Sequence, residues 1–276
     1  MTPITSGYPT AYHDINQLLA VWCDSIKNKC GDNLVGLYIS GSLSYGDFVP
    51  GRSDIDLRVV LQNPLNKKEL RWIEHLHKDL NKLNPGWKDR LECDYVTLEL
   101  LKQRPPLIIV RPWWGFHRFY PTAPAGNEWI INQYFLCKYG LTMHGPEFSS
   151  LVPSIEPGEF RKASAMDLFV EWEPKTRDQG WFANSHNQSF LVLNLCRILH
   201  TISGCEPGSK KVAGEWTKKY YPQWRDLIIE AEKWEYGRKI KLQKTIFEFV
   251  KFSIRIAMES RILDESENLS LLQYRN

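Results

Sequence analysis

Gly36-Leu37-Tyr38-Ile39-Ser40-Gly41-Ser42, followed about eleven residues later by Arg52-Ser53-Asp54-Ile55-Asp56-Leu57, is the stretch on which the reading of this chain turns. Residues 34–39 form a short apolar run of strand formers. Residues 41–51 are broken up by small residues, and 54–61 return to a β-rich run with Val59 and Val60. Side chains alternate along a strand, so Asp54 and Asp56 project from one face, their Cα atoms about 6.6 Å apart, while Ile55 and Leu57 turn to the core. Two carboxylates so placed suit a hard divalent cation such as Mg²⁺, which takes oxygen ligands and keeps waters that phosphate oxygens can replace. Gly41 lets the backbone approach an anion closely. Ser42, opening the next short helix, adds a hydroxyl and N–H groups for a phosphate.

Outward from this stretch, residues 11–30 set Ile15, Leu18, Leu19, Trp22 and Ile26 at helical spacing. Asn66 is placed to cap a helix over 67–83 with Leu70, Ile73, Leu76 and Leu80 inward. Residues 90–98 read as a third strand carrying Glu92 and Asp94 on one face, where a carboxylate can complete a metal site or act as general base toward a hydroxyl. Glu92 is the better placed of the two, nearer the strand start between Leu91 and Cys93. Residues 104–127 hold Pro105, Pro106, Pro112, Pro121 and Pro124 among Trp113, Trp114, Phe116, Phe119 and Tyr120. That proline density predicts a long structured loop, either a flap packed on the sheet or a functional segment. Residues 128–139 resume as helix.

Beyond 157 the strand signal vanishes, and helical periodicity runs over 160–172, 184–203, 209–220, 222–234 and 239–261. Pro153 and Pro157 bracket a short linker. The order helix, strand, turn, strand, helix, strand in the first half reads as an α/β unit. For the whole the expectation is an α+β chain: residues 1–152 as a domain with a small mixed β-sheet flanked by helices, and 153–276 as an all-α helical bundle. In 184–203 the apolar residues run nearly all round, which marks a buried element, and Asn187, Asn194 and Arg197 share a narrow sector. A buried Arg197 calls for an anion, either a neighbouring Glu or a triphosphate.

The chain's 276 residues allow one large or two modest domains. A net charge of +3, from 35 Lys and Arg against 32 Asp and Glu, argues against a protein that lives by neutralising duplex phosphates. Six cysteines without a C-x-x-C pair read as free thiols. Residues 1–10 are polar with no leader-like apolar core, and no run nears the roughly 18 apolar residues of a membrane span, so a cytoplasmic, non-membrane protein is expected. A monomer is expected as well. Neither G-x-x-x-x-G-K-[ST] nor G-x-G-x-x-G occurs. Eleven Trp within 13% aromatic residues are unusual; Trp22 and Trp72 fall on helices, whereas Trp113, Trp114, Trp172 and Trp181 fall in or beside loops that could border a ligand.

The order strand, Gly-Ser turn, Asp-x-Asp strand and acidic third strand resembles the nucleotidyltransferase (DNA polymerase β-like) superfamily. Within it the chain is similar to the aminoglycoside adenylyltransferases of the streptomycin/spectinomycin resistance type. The likeness extends to Leu91-Glu92, His144-Gly145-Pro146 and Leu193 through Gly204 followed by Lys210 to Trp216. The resemblance implies AMP transfer from the co-substrate ATP to a hydroxyl of a small aminoglycoside or aminocyclitol. It implies one or two Mg²⁺ held by Asp54 and Asp56 with Glu92 as base, and Gly41, Ser42, Ser53, Arg197 and Lys210 around the phosphates. Tyr236, or Trp234 two positions before it, stands where the family places an aromatic beside the nucleobase. Trp172 and Asp178 resemble the residues associated with streptomycin, and Asn187 stands where an acidic acceptor-binding residue is expected. Transfer to a lincosamide, a protein or an RNA end, and a non-catalytic nucleotide-binding regulatory module, are the competing readings.

Overall fold

A computed structural model describes residues 9–105 and 109–263, and these fall into two compact units, one within 1–49 and 53–154 and one within 50–52 and 155–276. The leader reading of 1–10 falls mostly outside the described residues. Among them no helix is long and apolar enough to cross a membrane.

The first unit begins with α1 (His13–Cys30), β1 (Leu34–Ser40), a single turn α2 (Gly41–Ser44) and β2 (Ile55–Leu61). It continues through α3 (Lys67–Leu83), β3 (Leu91–Thr97), α4 (Leu98–Leu101), β4 (Ile109–Gly115), β5 (Arg118–Ala125), α5 (Glu128–Tyr139) and β6 (Leu141–His144). The six strands form one mixed sheet in the order β5-β4-β3-β2-β1-β6. β2 and β3 are its parallel pair, because α3 carries the chain back over the sheet, and the other neighbours are antiparallel. Asn66 does cap α3: its side chain accepts from the Lys68 and Glu69 N–H groups while Glu69 accepts from the Asn66 N–H at 2.7 Å.

One face of the sheet, with Leu37, Ile39, Ile55, Leu57, Val59, Cys93, Tyr95 and Trp114, packs on Leu18, Leu19 and Trp22 of α1 and Ile73 and Leu80 of α3. Strand alternation sends Tyr38, Asp56, Arg58, Glu92 and Asp94 to the other face. There α5 covers one end, with Trp129 lying 5.2 Å from the Arg58 guanidinium.

Residues 109–125 of the proline-rich stretch form a hairpin, not a loop, and Pro106 lies outside the described residues. Gly115 and Arg118 pair across a two-residue turn in which Phe116 and His117 both take positive φ, 49° and 68°. Such a turn ordinarily calls for Asn-Gly, so its usual signature is missing from the sequence. The prolines are accommodated because Pro112 sits at a break in the β4–β5 register, and Pro121 and Pro124 are exposed on the sheet's edge strand. Trp114 accordingly lies in the core, 1% exposed, and only Trp113 stays partly open, stacked on Tyr120.

The second unit contains α6 (Pro157–Asp167), a π-helical turn at Leu168–Trp172, α7 (Glu173–Lys175), α8 (Gln179–Ala183), α9 (Ser185–Ile202), α10 (Lys210–Tyr220), α11 (Arg225–Glu232) and α12 (Gln243–Glu259). α9 is its axis: Leu191, Val192, Leu195, Cys196, Ile198 and Leu199 are buried with Ala213 of α10, Ile228 of α11 and Phe249 of α12 in one core. Residues 160–172 are expected as a regular helix, but the wider last turn brings residues five apart together, and the Trp172 indole N–H donates to Asp167 Oδ2 at 2.6 Å.

In the first unit His77 of α3 is wholly buried, shares a 2.7 Å hydrogen bond with the Tyr95 hydroxyl and stacks 5.0 Å from Trp114. Burial pushes its imidazole down to about 3. An unfolded histidine titrates near 6.5, so between roughly pH 6.5 and 3 only the unfolded chain takes up this proton. The contribution is complete above about pH 6.5 and is lost as pH falls, at about 1.4 kcal/mol per pH unit. Urea unfolding between pH 7 and 5 is expected to show that slope, and His77→Gln to flatten it; an identical slope in the variant would contradict this assignment.

Candidate active site

β1 ends at Ser40, whose register partner on β2 is Asp56. The chain then turns at Gly41 with φ +63° so tightly that a Cβ there would lie 2.7 Å from Asp56 Cγ and closer still to Oδ2. Position 41 therefore favours glycine on two counts, the left-handed backbone conformation and the Asp56 side chain, which would have to move to admit a Cβ. The turn is braced by the Ser44 hydroxyl donating to the Gly41 carbonyl at 2.9 Å and by the Asp47 N–H donating to the Ser42 carbonyl at 3.1 Å. Ser53 closes the segment before Asp54: its N–H donates to the Val49 carbonyl at 2.8 Å and its hydroxyl oxygen accepts from the Val49 N–H at 3.0 Å. Arg90, just ahead of β3, donates to the Ser53 carbonyl and stacks on Trp87 at 4.6 Å. This brace carries no motif signature that the sequence reading could use.

Parallel pairing of β2 with β3 sets Asp56 beside Glu92 and Arg58 beside Asp94. Neighbouring strands lie about 4.8 Å apart, so Asp56 and Glu92 stand as adjacent carboxylates on one face. Both are partly open to solvent, while Ile55, Leu57, Leu91 and Cys93 point into the core. Asp94 has a different environment. Arg58 Nη2 reaches its Oδ2 at 2.7 Å and Arg111 Nε its Oδ1 at 2.8 Å. Burial alone would raise this carboxyl, and the guanidinium of Arg111 followed by that of Arg58 reverses the effect, holding it below the usual carboxylate range. With both oxygens held by guanidiniums, Asp94 is a poor proton acceptor, which leaves Glu92 as the candidate base.

In the second unit, Arg197 is only half-buried, unlike its apolar neighbours on α9. The buried-arginine argument therefore does not apply to it. Phe190, seven residues earlier on the same helix sector, is the centre of a cluster that the sequence reading missed. Lys210 Nζ lies 3.9 Å over its ring, and Trp172 and His186 contact it at 5.6 and 6.0 Å. The heptad spacing between Phe190 and Arg197 was the available signal.

Trp172, Asp178 and Asn187 converge on Trp181. The Trp172 ring lies 6.4 Å from that of Trp181, Asp178 accepts from the Trp181 N–H at 3.0 Å, and the Asn187 amide donates to the Trp181 carbonyl at 2.9 Å. Trp234 is buried, stacked on His186 at 4.8 Å, and its indole N–H donates to the Arg238 carbonyl; Tyr236 is 46% exposed. Of the two aromatics, Tyr236 is the one open to a ligand.

Residues 23–111 match the family described as a nucleotidyltransferase domain, and residues 150–258 the family described as the aminoglycoside adenylyltransferase C-terminal domain. The chain is a nucleotidyltransferase resembling the aminoglycoside adenylyltransferases. Its fold is similar to the crystal structure of spectinomycin adenyltransferase AAD(9) from Enterococcus faecialis with ATP and spectinomycin. The TM-score is 0.71 at 16% identity, over 88% of this chain and 98% of that one. A nucleotidyltransferase-like protein from Exiguobacterium sibiricum 255-15 aligns with a TM-score of 0.33 and 11% identity over 94% and 80% of the two chains, too weakly to bear on the fold. No curated protein matches the sequence. In this nucleotidyltransferase the Gly41 turn is the motif's steric keystone. Gly41→Ala is expected to cost about 1–3 kcal/mol of stability and to depress turnover by displacing the Asp56 carboxylate. Denaturant unfolding and initial rates check both, and an alanine variant with wild-type stability and rate would contradict the assignment.

Proposed function

We propose that the chain transfers AMP from ATP to a hydroxyl of an aminoglycoside or aminocyclitol such as streptomycin or spectinomycin, releasing pyrophosphate. The observation that carries the reading is the register that stands Asp56 beside Glu92, with the Gly41 backbone passing close against the Asp56 carboxylate. In the proposed division of labour, residues 1–152 perform the chemistry and residues 153–276 bind nucleotide and acceptor.

The residues fit Mg²⁺. Asp54, Asp56 and Glu92 offer only hard oxygen donors, and the β2–β3 register sets Asp56 beside Glu92 on one face. An ion held through one or two such carboxylates gives its remaining positions to waters and substrate phosphates. Asp54 and Asp56 would hold one or two such ions. Bound there, Mg²⁺ supplies positive charge against the phosphate oxygens.

Glu92 accepts the proton of the acceptor hydroxyl as its oxygen bonds to the α-phosphorus; the bond from that phosphorus to the bridging oxygen breaks and pyrophosphate departs with the electron pair. Ser42, Ser53 and the Gly41 backbone steady phosphate oxygens, as do Arg197 and Lys210. Lys210 is held on the Phe190 ring and so presents a pre-oriented ammonium. Tyr236 offers an open aromatic face to the nucleobase. Trp172, Asp178 and Asn187, grouped around Trp181, form the acceptor side, where indole faces and a carboxylate suit a hydroxylated cation. The work is positioning and charge neutralisation.

Purified protein given MgATP is expected to release pyrophosphate only on addition of streptomycin or spectinomycin. Glu92→Gln should cut the rate by about 10²–10⁴-fold, the usual worth of a general base. Asp56→Asn should abolish turnover, and activity surviving that change would remove the metal role from Asp56.

A further inference from the structure

Asp94, Arg58 and Arg111 form a buried ionic cluster one step behind the Asp56–Glu92 pair on the same face of the sheet. Arg58 and Arg111 are 4% and 9% exposed. Asp94 accepts from Arg58 at 2.7 Å and from Arg111 at 2.8 Å, and Arg111 Nη1 donates on to the Ala123 and Pro124 carbonyls of β5 at 3.2 and 2.6 Å. The other flank of Arg58 is covered by the rings of Trp129 and Phe148 at 5.2 and 5.8 Å. A single carboxylate thus ties β2, β3, β4 and β5 together at one level.

Burying an ion cluster is a poor way to gain stability, since well-packed apolar residues do as well or better; its attested use is to select one arrangement among near-equals. Here the alternatives are strand registers. A one-residue slip of β3 against β2 would turn its side chains to the wrong face. A two-residue slip would keep the faces but set Arg58 beside Glu92 or beside Val96 instead of Asp94. The first engages the wrong carboxylate and the second leaves a buried guanidinium facing a valine. Only the observed register pairs Arg58 with Asp94, and it is the register that sets Glu92 beside Asp56. β4 gives weaker guidance, pairing with β3 among the described residues at Cys93–Trp114 and Asp94–Trp113, and Arg111 reaches Asp94 from beyond the break at Pro112.

We propose that Asp94 is a positioning residue: clamped by Arg58 and Arg111, it locks β3 in register and acts on turnover through the placement of Glu92. This rests on the reading of Glu92 as the base in AMP transfer. Steady-state kinetics of the wild type, Asp94→Asn, Glu92→Gln and the double variant test it, with label followed from α-labelled ATP and the folded fraction measured for each.

Asp94→Asn is expected to lower kcat by about 10²-fold, the scale of a misplacement of about 1 Å, while KM for MgATP stays within about threefold of wild type. The double variant should be no slower than Glu92→Gln alone, because Asp94 has no route to the chemistry once Glu92 is gone. Wild-type kcat per folded molecule in Asp94→Asn, or effects that multiply in the double variant, would overturn the inference while leaving AMP transfer intact. If Asp94→Asn does not fold, the apolar replacement Arg58→Met with Asp94→Leu and Arg111→Met is measured instead, with the same loss of kcat expected and a wild-type kcat overturning the proposal. A wild-type protein that turns over no acceptor would overturn the function reading itself, and this inference with it.

Discussion

The tightest approach among the described glycines is the passage of the Gly41 backbone past the Asp56 carboxylate. A side chain at position 41 would occupy the carboxylate's own space, and the backbone there takes the left-handed conformation that glycine tolerates best. Much of the first unit serves that approach. β1 delivers the turn opposite Asp56, the Val49–Ser53 closure and Arg90 brace the start of β2, and the α3 crossover brings β3 alongside in parallel so that Glu92 joins the row. The apolar face beneath, from Ile55 and Leu57 to Trp22 and Ile73, keeps these strands from shifting.

The second unit is organised differently. α9 is buried along most of its length, so the side chains it leaves partly open are few: His186, Asn187, Phe190 and Arg197 are among them, within three turns of one another. Phe190 is an aromatic floor for the Lys210 ammonium and a neighbour of Trp172. The π-helical turn at Leu168–Trp172 and the Asp178 cap set the indoles of Trp172 and Trp181 side by side. Several of the chain's many tryptophans are thus accounted for as paired, partly open rings, and others, Trp22, Trp114 and Trp129, as core.

What the sequence made legible was whatever rests on local chemistry. The helix cap at Asn66, the strand alternation from Ile55 onward and the helical spacings of α1, α3 and α9 are each written in nearby residues, and the helical second half followed from them. The β4–β5 hairpin was not legible, because its turn uses Phe116 and His117 where Asn-Gly would be read, and its prolines are tolerated only by a register break and an edge position that tertiary structure supplies. For the same reason Trp114 was expected beside a loop and lies in the core against His77. The different environments of Glu92 and Asp94 were not legible, because Arg111, distant in sequence, together with Arg58 takes both oxygens of Asp94. Arg197 shows the converse: a helix apolar on nearly all sides suggested burial, and the structure leaves that one position half-open.

The central claim is that the Asp56–Glu92 row directs AMP onto a small hydroxylated cation. Intact-mass analysis of a panel of aminoglycosides and aminocyclitols incubated with the protein, Mg²⁺ and ATP tests it most directly. The account predicts that streptomycin or spectinomycin gains the mass of one AMP with wild-type protein and gains nothing with Asp56→Asn. A panel left unmodified by the wild type, or modified equally by the variant, would contradict it.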